Sequence, residues 1–144
     1  MPFHGTYDHS LDAKNRLTVP ARFRPQLAGG VMLVKGFEPC LQLYPAADYE
    51  VIARQALATV NPLSPEAREL KRHLYGNAMP GELDGAGRIM LPGPFLTYAG
   101  ISRDAVVWGA GDCLEIWDKS SHQDYDSGLI PRAADHIASL GHTA

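Results

Sequence analysis

Two Asp-x-x-x-Arg pairs, Asp12 with Arg16 and Asp84 with Arg88, are the residues whose spacing most suggests a chemical device. Ala13, Lys14 and Asn15 fill the first interval, and Gly85, Ala86 and Gly87 fill the second. An Asp side chain bonds to the backbone two residues on, and Asn and Gly reach the left-handed region that a tight turn needs. At its simplest each pair is an ion bridge holding a turn, worth about 0–1 kcal/mol where it is exposed. The surroundings of the two pairs differ. The first turn carries Lys14 and is followed, just beyond Pro20, by Arg22 and Arg24, where the second copy has Ala86, Pro94 and Leu96. Guanidinium forks suit phosphate oxygens and guanine edges, while an ammonium acts on phosphate as a point charge. The first copy is equipped to bind, through Lys14, Arg16, Arg22 and Arg24. Asp12, Asp84 and Arg88 are expected to hold turns.

Signatures of catalysis are missing. Gly85-Ala86-Gly87 and Gly109-Ala110-Gly111 begin like dinucleotide loops but lack the third glycine and open no clear helix. There is no Walker lysine, no His-Glu-x-x-His and no Gly-x-Ser-x-Gly. His4, His9, His73, His122, His136 and His142 form no short metal-ligand spacing. His122 and Asp124 read as part of a polar loop. Asp124 and Asp126 have nothing nearby to separate their acidities for acid–base work. Cys40 and Cys113 fall at matching apolar strand positions, where packing explains them better than nucleophilic catalysis. The expectation is therefore no catalytic site, no metal, no cofactor and no enzymatic activity. A buried pocket with converging polar groups would reopen that question.

The elements that must position these residues come from a duplication. The run Leu11-Asp12-Ala13-Lys14-Asn15-Arg16-Leu17-Thr18-Val19-Pro20 recurs 72 residues later as Leu83-Asp84-Gly85-Ala86-Gly87-Arg88-Ile89-Met90-Leu91-Pro92. Gly36, Cys40, Leu41 and Tyr44 are answered by Gly109, Cys113, Leu114 and Trp117 at an offset of 73. Each copy reads as strand, turn, strand, short helix, strand, turn, strand, with Phe23 and Phe95 anchoring the short helices. Residues 5–11, 16–19, 31–34 and 40–44 are the strands of the first copy, and 105–108 and 114–117 repeat the last hairpin. Two copies are too few for a solenoid, so a pseudo-twofold unit with one shared core is expected.

Helical sequence lies between the copies. Tyr49, Ile52, Ala53, Ala56, Leu57 and Val60 form an amphipathic stripe that ends at Asn61-Pro62. Ser64-Pro65-Glu66 caps a second helix, which stops at Gly76-Asn77. A last helix is expected over residues 132–140. The divisions are then 1–60 for the first repeat with its following helix, the half that carries the basic binding residues; 61–78 for a linking helix; 79–130 for the second repeat; and 131–144 for a C-terminal helix or tail.

Composition sets bounds. A chain of 144 residues that is 45% hydrophobic can bury a core of its own. The formal net charge of −3 argues against a uniformly basic protein. Resolved along the chain, residues 13–37 carry Lys14, Arg16, Arg22, Arg24 and Lys35 with no acid, and the remainder is acidic. The start has no signal-like character and no apolar run is long enough for a bilayer, so a reducing cytoplasmic location without a membrane partner is expected, with no disulfide.

The duplicated motif, with Gly5-Thr6-Tyr7-Asp8-His9-Ser10 before it and Lys35-Gly36-Phe37-Glu38-x-Cys40-Leu41 after it, resembles the MraZ family of bacterial transcriptional regulators over nearly the whole chain. The resemblance implies an α+β fold in which two SpoVT/AbrB-like halves form a swapped-hairpin β-barrel with helices outside. It also implies a homo-oligomer, in ring form, in the cytoplasm and associated with the nucleoid. The implied partner is double-stranded DNA, at short direct repeats upstream of the cell division and cell wall gene cluster. Arg16 is similar to the motif arginine of AbrB-type domains, and Arg24 to a DNA-contacting arginine after the proline. Lys14 and Arg22 match basic positions of the family's first half. Asn15 departs from the usual Gly. The alternative is an oligomeric protein-binding adaptor that places the basic patch on an acidic partner.

Overall fold

The computed structural model describes residues 1–141, so His142 lies outside them. In the first half, Thr6–Ser10 (β1) and Arg16–Thr18 (β2) flank the first turn. A single 3-10 turn, Ala21–Phe23, runs into Arg24–Leu27 (α1), and the hairpin Val31–Lys35 (β3) and Leu41–Pro45 (β4) follows. Helices Ala46–Leu57 (α2) and Pro65–Gly76 (α3) lead to the second half: Ala78–Gly81 (β5), Arg88–Met90 (β6), Gly93–Ala99 (α4), Asp104–Gly109 (β7) and Leu114–Asp118 (β8). Lys119–Asp126 (α5) and Leu129–Gly141 (α6) close the described chain.

Each half completes the other. The six-stranded antiparallel sheet has the order β1-β7-β8-β4-β3-β5, and β2 pairs with β6 in a separate ribbon. The first strand of each half pairs with the third strand of the other: Tyr7 lies opposite Val107, and Met79 opposite Leu33. Interchanging the halves reproduces the strand order in reverse, as the duplication predicts. The central seam joins β4 to β8, with Leu43 opposite Leu114. The observed pairing runs as two sheets; the closed barrel implied by the resemblance goes beyond it.

Alternation along the strands assigns the two faces of the sheet. Leu33, Leu41, Leu43, Ala105, Val107, Leu114 and Ile116 point to the main core, where Leu17 and Ile89 of the ribbon and Phe23, Leu27, Phe95 and Leu96 of the short helices meet them. Ile116 is fully buried, and such an aliphatic side chain contributes about 1.5–3 kcal/mol. On the opposite face, Val34, Tyr44 and Cys113 pack with Tyr49 and Ala53 of α2 and Leu74 of α3. Ser64 caps α3 as expected, its Oγ accepting from the Ala67 N–H at 3.1 Å.

Three expectations change. Residues 119–126 are a helix rather than a loop: Asp118 caps it by accepting from the Ser121 N–H at 3.2 Å. His122 is buried on that helix, edge-on to Trp108 with ring centres 4.4 Å apart. Helix α6 begins at Leu129, earlier than residue 132, and α2 ends at Leu57 with residues 58–60 in turns. Among the described residues no helix is long and apolar enough to cross a membrane.

Candidate nucleic-acid interface

The two turns are built atom for atom alike. Asp12 Oδ1 accepts from the backbone N–H groups of Lys14 and Arg16, both at 2.9 Å, and Oδ2 accepts from Arg16 Nε at 2.7 Å. Asp84 does the same with the N–H groups of Ala86 and Arg88, at 2.9 Å, and with Arg88 Nε at 2.8 Å. Asn15 occupies the left-handed region at φ 59°, where the second turn has Gly87 at φ 75°. The Arg16 backbone N–H is the main reason the Asp12 carboxyl lies below its ordinary range; the Arg16 side chain and the Lys14 N–H add to it, against a desolvation penalty. The Arg88 N–H acts likewise on Asp84.

Each turn is braced by the opposite half. The Val19 N–H donates to the Gly87 carbonyl and the Leu91 N–H to the Asn15 carbonyl, both at 2.9 Å. The β2–β6 ribbon lies between, with Arg16 opposite Met90 and Thr18 opposite Arg88. Leu17 and Ile89 point inward, so Arg16, Thr18, Arg88 and Met90 share the outward face. Arg88 thus lies beside Arg16 on one surface, although the sequence suggested only a turn role for it. The duplication held the signal: antiparallel pairing of the repeated three-residue strands puts both motif arginines on the same face.

The remaining basic residues divide. Arg24 donates from Nε to the Val19 carbonyl at 3.0 Å and crosses the second turn, so that a Cβ at Gly87 would meet its Nε at 2.1 Å. Gly87 is therefore required by its φ and by the arginine lying on it. Arg22 donates from Nη1 to Tyr7 Oη at 2.7 Å, beside the Phe23 ring on which Tyr7 rests edge-on. Lys14 is exposed at the tip of the first turn. Lys35 is elsewhere, with its Nζ 5.5 Å from the Phe95 ring centre and 5.6 Å from that of Tyr98. The basic stretch of sequence is thus not one patch in space. Arg16 and Arg88 each carry their own carboxylate, whereas Lys14, Arg22 and Arg24 have no acidic partner among the described residues.

Other chemistry is placed unfavourably. Burial is the main cause that pushes the Cys113 thiol up to about 12 and raises Cys40 further, which leaves both neutral and poor nucleophiles. No group of three metal-ligating side chains converges among the described residues. A 490 Å³ cleft lies between β1 and α5, lined by Asp8, Lys119, His122 and Asp126 among others, and does not include the motif arginines.

Comparison with known proteins gives one consistent result. The family model described as "MraZ protein, putative antitoxin-like" matches twice, over residues 2–73 and 74–137. A protein of Corynebacterium glutamicum (strain R) named "Transcriptional regulator MraZ" is 46% identical over 138 residues, which cover 94% of this chain and 96% of that one. Proteins with the same name in Corynebacterium diphtheriae and Mycobacterium avium are 46% and 45% identical over 123 residues, 85% of each chain. The paired Asp-x-x-x-Arg turns, the mutual exchange of strands and two successive matches to one family model agree: the chain belongs to the MraZ family.

Proposed function

We propose that this chain is a transcriptional regulator that binds duplex DNA through the basic surface around the β2–β6 ribbon. The reading rests on one asymmetry between otherwise matching halves: Lys14, Arg22 and Arg24 lack acidic partners among the described residues, and their counterparts are Ala86, Pro94 and Leu96. The regulatory names of the relatives support it. Arg16, held by Asp12, and Arg88 beside it present terminal guanidinium nitrogens on the outward face, while Lys14 and Arg22 extend the charge toward phosphates. In this reading the protein lies in the cytoplasm with the nucleoid, and its two sheets close as a swapped-hairpin barrel. Subunits assemble as a homo-oligomeric ring that sets several patches against short direct repeats upstream of the cell division and cell wall genes. A few charges from one subunit bind weakly and with marked salt dependence, and linked patches gain avidity where repeat and subunit spacings agree.

Titration of labelled upstream DNA and of random duplex, at two salt concentrations, tests the reading. Tighter binding to the upstream sequence is expected. An Arg22→Ala/Arg24→Ala variant, shown folded by circular dichroism, loses that preference, and its salt slope falls by about 2 per bound subunit. Equal affinity of this variant and the unaltered protein overturns the assignment. Binding of neither duplex points instead to an adaptor for an acidic protein.

A further inference from the structure

The outer face of the six-stranded sheet is covered by two separate helical layers. Helices α2 and α3 cover Val34 and Tyr44, and α5 stands by the β7–β8 hairpin. A 360 Å³ groove remains beside α5, with Glu38, Glu115, Trp108, Trp117, Tyr125 and Leu129 among its walls. Cross-strand register explains the company: Glu115 lies opposite Trp108 on one side and opposite Gln42 on the other, so a carboxylate and an amide occupy the middle of a face where Val34, Tyr44, Trp108 and Trp117 surround them. A carboxylate drawn out of water ordinarily requires a compensating partner. Among the described residues the Glu115 side chain has one hydrogen bond, accepted by Oε1 from Trp117 Nε1 at 3.0 Å, and neither it nor Glu38 forms an ion pair. Burial, with Glu38 nearby, holds its carboxyl above the ordinary range.

Three aromatic rings complete the groove. Trp117 and Tyr125 lie 4.9 Å apart, Trp108 and Trp117 5.9 Å, and Trp108 and Tyr125 6.3 Å between centres. A ring face attracts a cation, and attracts it more strongly as water is excluded. The chain already uses one of these rings in that way: the Arg132 guanidinium sits 4.7 Å from the Tyr125 centre, and its Nη2 donates to the Tyr125 carbonyl at 2.8 Å. We propose that the groove is a binding site for an organic cation, a guanidinium or alkylammonium group held between Glu38 and Glu115 against Trp108, beside the Tyr125 ring that Arg132 already covers. Two sources supply this chemistry: a free small molecule, or a basic side chain of a second copy of this chain. The site does not depend on the DNA-binding reading.

Trp108 and Trp117 are the chain's two tryptophans, so intrinsic fluorescence reports the groove directly. The test titrates the full-length protein with arginine amide and with citrulline amide, its neutral near-isostere. A saturable change in fluorescence with the arginine compound, weakened about tenfold or more by Glu38→Gln and by Glu115→Gln, is expected. Glu38 is exposed, so its variant leaves folding intact should Glu115→Gln disturb it. Sedimentation distinguishes the sources: arginine amide lowers the assembly mass if a second copy provides the cation, and leaves it unchanged if a free ligand does. An equal response to citrulline amide, no response to either compound, or unaltered affinity in Glu38→Gln overturns the proposal.

Discussion

At the scale of single residues, the left-handed position of each turn carries more than its turn. Asn15 and Gly87 share a backbone conformation, and the carbonyl of each accepts a backbone N–H from the other half, yet only Gly87 has an arginine lying across it. Opposite responses to substitution follow. Asn15→Gly relieves the left-handed penalty of a side chain and is expected to stabilise by a few tenths to about 1 kcal/mol. Gly87→Ala adds that penalty and also collides with Arg24, so a loss of roughly 1–2 kcal/mol or more is expected, together with weaker DNA binding. Urea denaturation checks both. Removing Arg24 should recover only the steric part of the Gly87→Ala cost, a partial rescue that a double-mutant cycle measures. The sequence already displayed the turns, because Asp, Asn and Gly write their geometry locally. It did not display that Arg24 reaches from one half onto the turn of the other, since that contact arises from tertiary packing.

At the scale of elements, local patterning identified the hairpins and the helices with an apolar stripe, and missed the helix that lacks one. Lys119–Asp126 is polar along nearly its whole length; its start is set by the Asp118 cap and its place by one buried ring, His122. Local patterning does not show the strand exchange, which only the family resemblance implies: β1 offers its hydrogen-bonding edge equally to its own half or to the other, and the assembled sheet selects β7. His122 gives this element a test. Its Nε2 is buried without a hydrogen-bond partner among the described residues, while its ring packs edge-on against Trp108. An unsatisfied buried polar atom costs about 1–3 kcal/mol, and an apolar replacement of similar shape avoids that cost. His122→Phe is therefore expected to leave the urea midpoint unchanged or raise it, and His122→Ala to lower it through lost packing. A large loss in His122→Phe would show that the imidazole makes a polar interaction the fold requires.

For the whole molecule, the duplication leaves a mark on pH dependence as well as on topology. Cys40 and Cys113 stand immediately before β4 and β8, the strands of the central seam, and both are buried and free. Desolvation, a larger effect than the charge of Glu115, lifts Cys113 from the ordinary 9.0 to about 12 and Cys40 beyond it. Tyr49 is raised to about 12 by the same cause, with Tyr75 and Glu50 adding to it. A group raised in the folded state favours folding fully while the unfolded chain also keeps its proton. That contribution declines once the unfolded thiols ionise and the folded ones do not. The sign is therefore a loss of stability as pH rises from about 9 toward 12, with little change from these groups at neutral pH. Urea midpoints at pH 7.5 and 10.5 measure it, and a Cys40→Ala/Cys113→Ala variant separates the thiols from the general repulsion of a chain that is already net negative. The variant is expected to show a shallower alkaline decline than the unaltered protein even though its neutral stability is lower. Parallel declines in the two proteins would place the loss with the tyrosines or with overall charge, and would mean that the seam between the halves does not sense pH through its thiols.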